Sequence, residues 1–138
     1  MTAPRFVRNT RLRRRRRLTL EQFEARQLLS IFSVTNNGDT GTGTLRQAIN
    51  DANNNPGPDL IDFNLAANQR TIVPLSALPA LTDAGTVIDG TKQPGYSGLP
   101  LVKIDGSSAG TNVVGFQLQG GSSGIKGLVI GGFGGGVS

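Results

Sequence analysis

The feature that most constrains this chain is a series of short apolar segments that each end on glycine. Four of them are Thr86–Gly90, Leu101–Gly106, Val113–Gly120 and Gly124–Gly132. Segments of this length, rich in Ile and Val, predict short β-strands, and glycine predicts a turn after each. One such strand carries too few apolar side chains to form a core alone. Stacking equivalent strands in parallel would join their apolar rows, so the pattern favours a repeat fold.

Composition and three earlier segments agree with this interpretation. Ile31–Thr35, Leu60–Phe63 and Thr71–Val73 are also candidate strands. Glycine accounts for 20 of the 138 residues, while aromatic residues make up only 5%. Few large side chains are therefore present to fill the core of an ordinary globule, whereas a fold with frequent turns needs many glycines. The spacing between the terminal glycines is irregular, so no fixed repeat length is predicted.

Residues 44–52 form the one predicted helix. Thr44 and Gln47 are spaced as a capping box. In this motif the Thr hydroxyl accepts from the backbone N–H three residues on, and the Gln side chain reaches back to the backbone N–H of the Thr. The apolar stripe consists of Leu45, Ala48, Ile49 and Ala52. The Asn- and Pro-rich run 53–58 ends the helix. We expect this helix to cap the open end of the strand stack, with a solvent-facing side made of Arg46, Gln47, Asn50 and Asp51.

The charge of the chain is concentrated at its start. Residues 1–30 hold nine Arg and two Glu, for a net charge of +7, whereas residues 31–138 carry five basic and seven acidic side chains. Residues 1–30 are therefore predicted to be a basic leader, disordered or helical. Three interpretations of this leader compete: an arm that binds nucleic acid, a segment that lies on an anionic membrane surface, and the positive region of an export signal. Because the remainder is slightly acidic, we expect no nucleic-acid partner.

A short motif at the end of the leader favours the export interpretation. Its residues are Leu20, Glu21, Phe23, Glu24, Arg26, Leu28, Leu29 and Ser30. The motif resembles the N-terminal sorting motif of many planctomycete surface and extracellular proteins, with Phe23 where that motif has Leu. The resemblance implies an extracellular or cell-surface location, and a leader that contacts the export machinery or an anionic membrane surface.

The remainder carries a second resemblance. Gly43–Ile49 and then Asp51–Asn53 resemble the start of pectin-lyase-like right-handed β-helix proteins of bacterial surfaces. Ile88–Tyr96, Ile104–Ser107 and Gly124–Phe133 are similar to the early coils of those proteins. The resemblance implies a right-handed winding for the strand stack.

The predicted fold is therefore all-β: the first coils of a right-handed parallel β-helix, with one N-terminal capping α-helix. The predicted organisation is a leader at residues 1–30, then the cap and first coils at residues 31–138. We expect these coils to be a truncated part of a longer β-helix.

Few residues in this chain are suited to chemistry. The sequence has no Cys and no His, so thiolate chemistry and the commonest general base are both excluded. Asp89 and Asp105 each lie in an Ile-Asp-Gly unit, where the carboxylate is expected to cap its own turn. The glycine run at 131–136 lacks the lysine of a phosphate-binding loop. No catalytic, cofactor-binding or metal-binding residue is predicted.

These features predict an exported cell-surface or extracellular protein with a structural or adhesin-like role and no catalysis of its own. Its expected partners are carbohydrate or cell-envelope components. The alternative is the N-terminal part of a polysaccharide lyase or glycoside hydrolase, whose active site would lie beyond residue 138.

Overall fold

The computed structural model describes residues 29–135 and residue 138. The strands are β1 (Ser30–Val34), β2 (Asp59–Phe63), β3 (Thr71–Ile72), β4 (Val87–Asp89), β5 (Val102–Asp105), β6 (Gly124–Lys126) and β7 (Leu128–Gly131). One α-helix, α1 (Leu45–Asn53), joins β1 to β2. Short 3-10 helices occupy Ala67–Gln69, Gly90–Lys92 and Gly106–Ser108. Most of the predicted leader, residues 1–28, lies outside the described residues.

The strands form two separate parallel sheets. One has four strands in the order β1-β2-β4-β6, and the other has three in the order β3-β5-β7. Ser30 pairs with Asp59, Leu60 with Val87, and Val87 with Gly124. The sequence distance between paired residues therefore changes from one strand pair to the next. Such parallel neighbours cannot be joined by tight hairpins, which explains the long connections between them.

The prediction of an all-β, right-handed parallel β-helix is wrong. The described part is a mixed α/β arrangement of two small parallel sheets and one α-helix, with 17% helix and 27% strand, and it is not a β-helix solenoid. Glycine-terminated apolar segments indicate strands, but they do not determine which strands pair or how many sheets form. The strands of this structure are only two to five residues long. Helical turns follow several of them directly, as at Gly90 and Gly106.

Helix α1 begins as the sequence predicts, at a Thr44 cap. The Thr44 hydroxyl accepts from the Gln47 backbone N–H, at 3.3 Å. The reciprocal half of the capping box does not form: the Thr44 N–H donates to the Gly41 carbonyl, and the Gln47 amide donates to Asp51 Oδ1 at 2.7 Å. The predicted apolar stripe is buried, at Leu45, Ala48, Ile49 and Ala52. It packs this helix against β1 and β2.

The strand predicted over residues 113–120 is not present. This segment instead makes isolated bridges with two other parts of the chain. Leu81 N–H donates to the Gln117 carbonyl, and the Leu81 carbonyl accepts from the Gln119 N–H. Leu118 N–H donates to the Ser138 carbonyl, and Ser138 N–H donates to the Phe116 carbonyl. Asn112, with a φ of 58°, sits just before the segment in a left-handed conformation that extended strands do not adopt. Phe116 is nevertheless buried, so the segment contributes to the core without joining either sheet.

One apolar cluster connects α1 with both sheets. Ile61 lies opposite Ile88 in the first sheet, and Ile72 lies opposite Ile104 in the second. All four side chains are buried in the same cluster as Ile49 of α1. Burial of such side chains is worth about 1.5–3 kcal/mol each relative to leaving them exposed. Among the described residues, no helix has the length and apolar character needed to cross a membrane.

Candidate functional site

An open groove lies between β1 and α1. Its volume is about 350 Å³, and it is lined by Ile31, Ser33, Thr42, Gln47 and Asp51 among others. The walls therefore combine an exposed apolar side chain with hydroxyl, amide and carboxylate groups. Polar groups that converge in a concave surface are typical of sites that orient a ligand by hydrogen bonds. Groups of these kinds suit a ligand rich in hydroxyls or peptide groups.

Two hydrogen bonds hold polar side chains of this region in place. Gln47 Nε2 donates to Asp51 Oδ1 at 2.7 Å along the exposed side of α1. The Ser33 hydroxyl donates to Asp62 Oδ1 at 2.5 Å, from β1 to the paired position of β2. These carboxylates therefore already have a hydrogen-bond donor, and each retains lone pairs for another one.

The predicted sorting motif falls mostly outside the described residues. Leu20, Glu21, Phe23, Glu24, Arg26 and Leu28 belong to that part of the chain. Leu29 is described, and 53% of its surface is exposed. Ser30 is the first residue of β1 and pairs with Asp59. The motif therefore leads directly into the edge strand of the larger sheet, next to the groove.

The turn-capping role predicted for Asp89 and Asp105 is confirmed. Asp89 Oδ1 accepts from the Thr91 backbone N–H at 2.9 Å and from the Thr91 hydroxyl at 2.6 Å. Asp105 Oδ1 accepts from the Ser107 backbone N–H at 3.0 Å. Each carboxylate thus caps the 3-10 helix that follows its own strand. They lie on β4 and β5, which belong to different sheets, so the two carboxylates do not face each other across paired strands.

The two carboxylates differ in their surroundings. Asp89 is only 2% exposed. Its burial favours the neutral acid, but the hydrogen bonds from Thr91 and the charge of Lys126 outweigh this effect and lower the pKa of Asp89. Lys126 Nζ lies 3.5 Å from Asp89 Oδ2, at the paired position of β6. The hydrogen bonds from the backbone and side chain of Ser107 also lower the pKa of Asp105, which is solvent-accessible. Both groups are therefore favoured as anions.

Arg46 performs a role that the sequence did not predict. Its guanidinium donates to the Ala77 carbonyl at 2.6 Å, to the Ser76 carbonyl at 3.1 Å and to Asp39 Oδ1 at 3.0 Å. Asp39 also accepts from the Leu75 backbone N–H, and this bond contributes most to lowering its pKa. The prediction that Arg46 lies on a solvated helix face is therefore wrong. The side chain joins α1 to two loops.

Gln93 is a buried polar residue whose role the sequence also did not predict. Its Oε1 accepts from the Leu65 backbone N–H, and its Nε2 donates to the Leu65 carbonyl, both at 2.9 Å. The amide therefore satisfies both backbone groups of a buried residue, as a neighbouring strand would. A lone Gln between Lys92 and Pro94 offers no sequence signal for this role. Its partner is 28 residues away in sequence.

Within the described ranges, no three acidic side chains converge on a point where they could hold a metal ion. Asp62, Asp89 and Asp105 each have a structural hydrogen-bond partner. Comparison with known proteins adds no candidate chemistry: no protein family, curated protein or solved structure matches this chain.

Proposed function

We propose that this chain is an exported cell-surface or extracellular protein with a structural or adhesin-like role, and that it performs no catalysis of its own. One observation carries the proposal: the carboxylates predicted to cap turns do so, with Thr91 and Ser107 as partners. A hydrolase or lyase would need carboxylates free to reach a substrate. The Arg-rich leader and its sorting motif support export.

The groove between β1 and α1 supports binding of carbohydrate or cell-envelope components. Ser33, Thr42, Gln47 and Asp51 bring hydroxyl, amide and carboxylate groups to one concave surface. Sugars offer hydroxyl donors and acceptors that match such groups. The groove is beside the residues that follow the sorting motif, so a protein tethered through its leader would carry it close to the cell envelope.

Cell fractionation tests the export proposal. The full chain would be produced with a C-terminal epitope tag in a planctomycete host, beside the double variant Leu28→Asp, Leu29→Asp. We expect the unaltered chain at the cell surface or in the medium, and the double variant in the cytoplasm, because the variant places charges in the apolar end of the motif. Protease accessibility on intact cells provides the measurement.

The control is Leu99→Asp, which adds a charge at an exposed apolar residue outside the motif. It should be sorted like the unaltered chain. Cytoplasmic retention of the unaltered chain, or normal sorting of the double variant, would contradict the proposal. Release of oligosaccharides from cell-wall polysaccharides by the purified chain would favour the enzymatic alternative.

A further inference from the structure

Two fully buried side chains that carry oxygen lie where β2 and β4 begin. Asp59 is the first residue of β2, and Thr86 immediately precedes β4. Leu60 pairs with Val87, so Asp59 and Thr86 occupy neighbouring positions one residue earlier. Both residues are 0% exposed. A carboxylate and a hydroxyl thus lie side by side at the margin of the apolar core.

The two side chains point the same way. Asp59, Ile61 and Phe63 are the buried residues of β2, and they alternate with less buried ones. Side chains two residues apart project from the same face of a strand. Thr86 has the same relation to Ile88, which lies opposite Ile61. Asp59 and Thr86 therefore both face the core.

A second carboxylate approaches from the turn before β4. The charge of Asp83 raises the pKa of Asp59, which burial already raises, against a lowering hydrogen bond from Asn55. The turn is pressed against the start of β2, because a Cβ added at Gly85 would lie 3.3 Å from the Pro58 Cα. A second carboxylate, in the turn before β4, therefore lies close enough to affect the buried Asp59.

Most of the oxygens in this group lack hydrogen-bond partners among the described residues. Asp59 Oδ1 accepts from Asn55 Nδ2 at 2.7 Å. Asp59 Oδ2, Asp83 Oδ2 and Thr86 Oγ1 are buried and make no hydrogen bond in the described part of the chain. Each of the three residues therefore contributes one buried oxygen that is available to a ligand.

We propose that Asp59, Asp83 and Thr86 bind a divalent cation, with Ca²⁺ as the best-suited ion. Two carboxylates and a hydroxyl are hard oxygen donors, and Ca²⁺ takes about 6–8 such ligands at about 2.3–2.6 Å. Water would supply the rest. A cation neutralises the charge of the buried Asp59 and removes its repulsion with Asp83. It links the start of β2 to the turn before β4, and so stabilises the larger sheet. The sequence predicted no metal site, because Asp59 and Asp83 are far apart in the chain.

Calcium titration of the full chain tests the proposal. Isothermal titration with CaCl₂ to about 10 mM covers the weak range of about 10⁻³ M seen in extracellular calcium modules. We expect one calcium ion per chain, and a calcium-dependent rise in Tm of about 4 °C or more. Asp59→Asn and Asp83→Asn should each weaken binding at least tenfold. Asp83 lies in a surface turn, so Asp83→Asn serves if Asp59→Asn fails to fold.

The matched control is Asp62→Asn, on the same strand as Asp59 but bonded outward to Ser33. It should bind calcium like the unaltered chain. No heat of binding and no Tm change would overturn the proposal, as would unchanged binding by Asp83→Asn. A Tm that rises at low pH but ignores calcium would also overturn it, since the carboxylates would then be sharing a proton.

Discussion

Asp89 and Asp105 occupy the same three-residue unit and yet contribute differently. Each follows an isoleucine, precedes a glycine and caps a 3-10 helix. The Asp89 side chain is buried and has Thr91 and Lys126 around it, whereas the Asp105 side chain, beside Ser107 and Lys103, is 29% exposed. Removing a buried acceptor leaves its donors without partners, but exposed donors turn to water. Equal local sequence therefore does not imply equal stabilisation.

Asp89→Ala should lower the free energy of unfolding by about 1–3 kcal/mol, because the Thr91 N–H and hydroxyl lose their acceptor in a buried place. Asp105→Ala should lower it by a smaller amount. Urea unfolding followed by circular dichroism measures both. Equal losses in the two variants would show that burial does not distinguish the two caps.

At the scale of elements, α1 is attached to the rest of the molecule by two kinds of contact. Its apolar stripe, including Leu45 and Ile49, packs on the sheet. Arg46, on another side of the helix, holds the loops at residues 39 and 76–77. The guanidinium suits this role because it offers five donors in a rigid fork. The helix therefore positions the loops as well as closing the core.

Arg46→Met should lower the free energy of unfolding by about 1–3 kcal/mol, since the loop carbonyls and Asp39 lose charge-assisted hydrogen bonds. Met retains a similar length and helix propensity. Lys92→Met is the control, because it also removes a cation but lies on the exposed surface. Chemical denaturation measures both variants. If Arg46→Met lowers the free energy of unfolding no more than Lys92→Met does, Arg46 does not stabilise the two loops.

For the whole molecule, carboxylate surroundings set how stability responds to pH. The pKa values of Asp39, Asp89 and Asp105 are lowered from the ordinary value of 3.8. Their contribution is present above that value and is lost as the pH falls through their lower, folded-state pKa values. The pKa of Asp59 is raised, chiefly by burial. Above pH 3.8 Asp59 therefore opposes folding, and this effect is relieved as the pH falls towards that value.

Measured in EDTA, the free energy of unfolding should fall as the pH is lowered below 3.8. Above 3.8 it should decline slightly with rising pH, as Asp59 loses its proton in the folded state. Asp59→Asn should remove that decline but should leave the fall in the free energy of unfolding below pH 3.8 unchanged. Urea unfolding across a pH series is the measurement. An identical profile for the variant above pH 3.8 would contradict the assignment to Asp59.

Local features were predictable from the sequence because their causes are local. The Thr44 cap, the buried stripe of α1 and the turns capped by Asp89 and Asp105 depend on residues a few positions apart. Most strand positions were also predictable from their apolar, β-branched composition. The segment 113–120 shows the limit, since its composition suits a strand but its contacts are with Leu81 and Ser138.

The order of residues alone accounts for helix α1, most of the short strands and the turn-capping carboxylates. Long-range pairing, and not local sequence, divides the strands into two small parallel sheets instead of the solenoid that their recurrence favoured. The same holds for the hydrogen bonds of Gln93 to Leu65, for those of Arg46 to two loops, and for the position of Asp59 beside Thr86. The physical reason is separation along the chain. Register and burial bring these groups together, and neither follows from the neighbours of a residue in sequence.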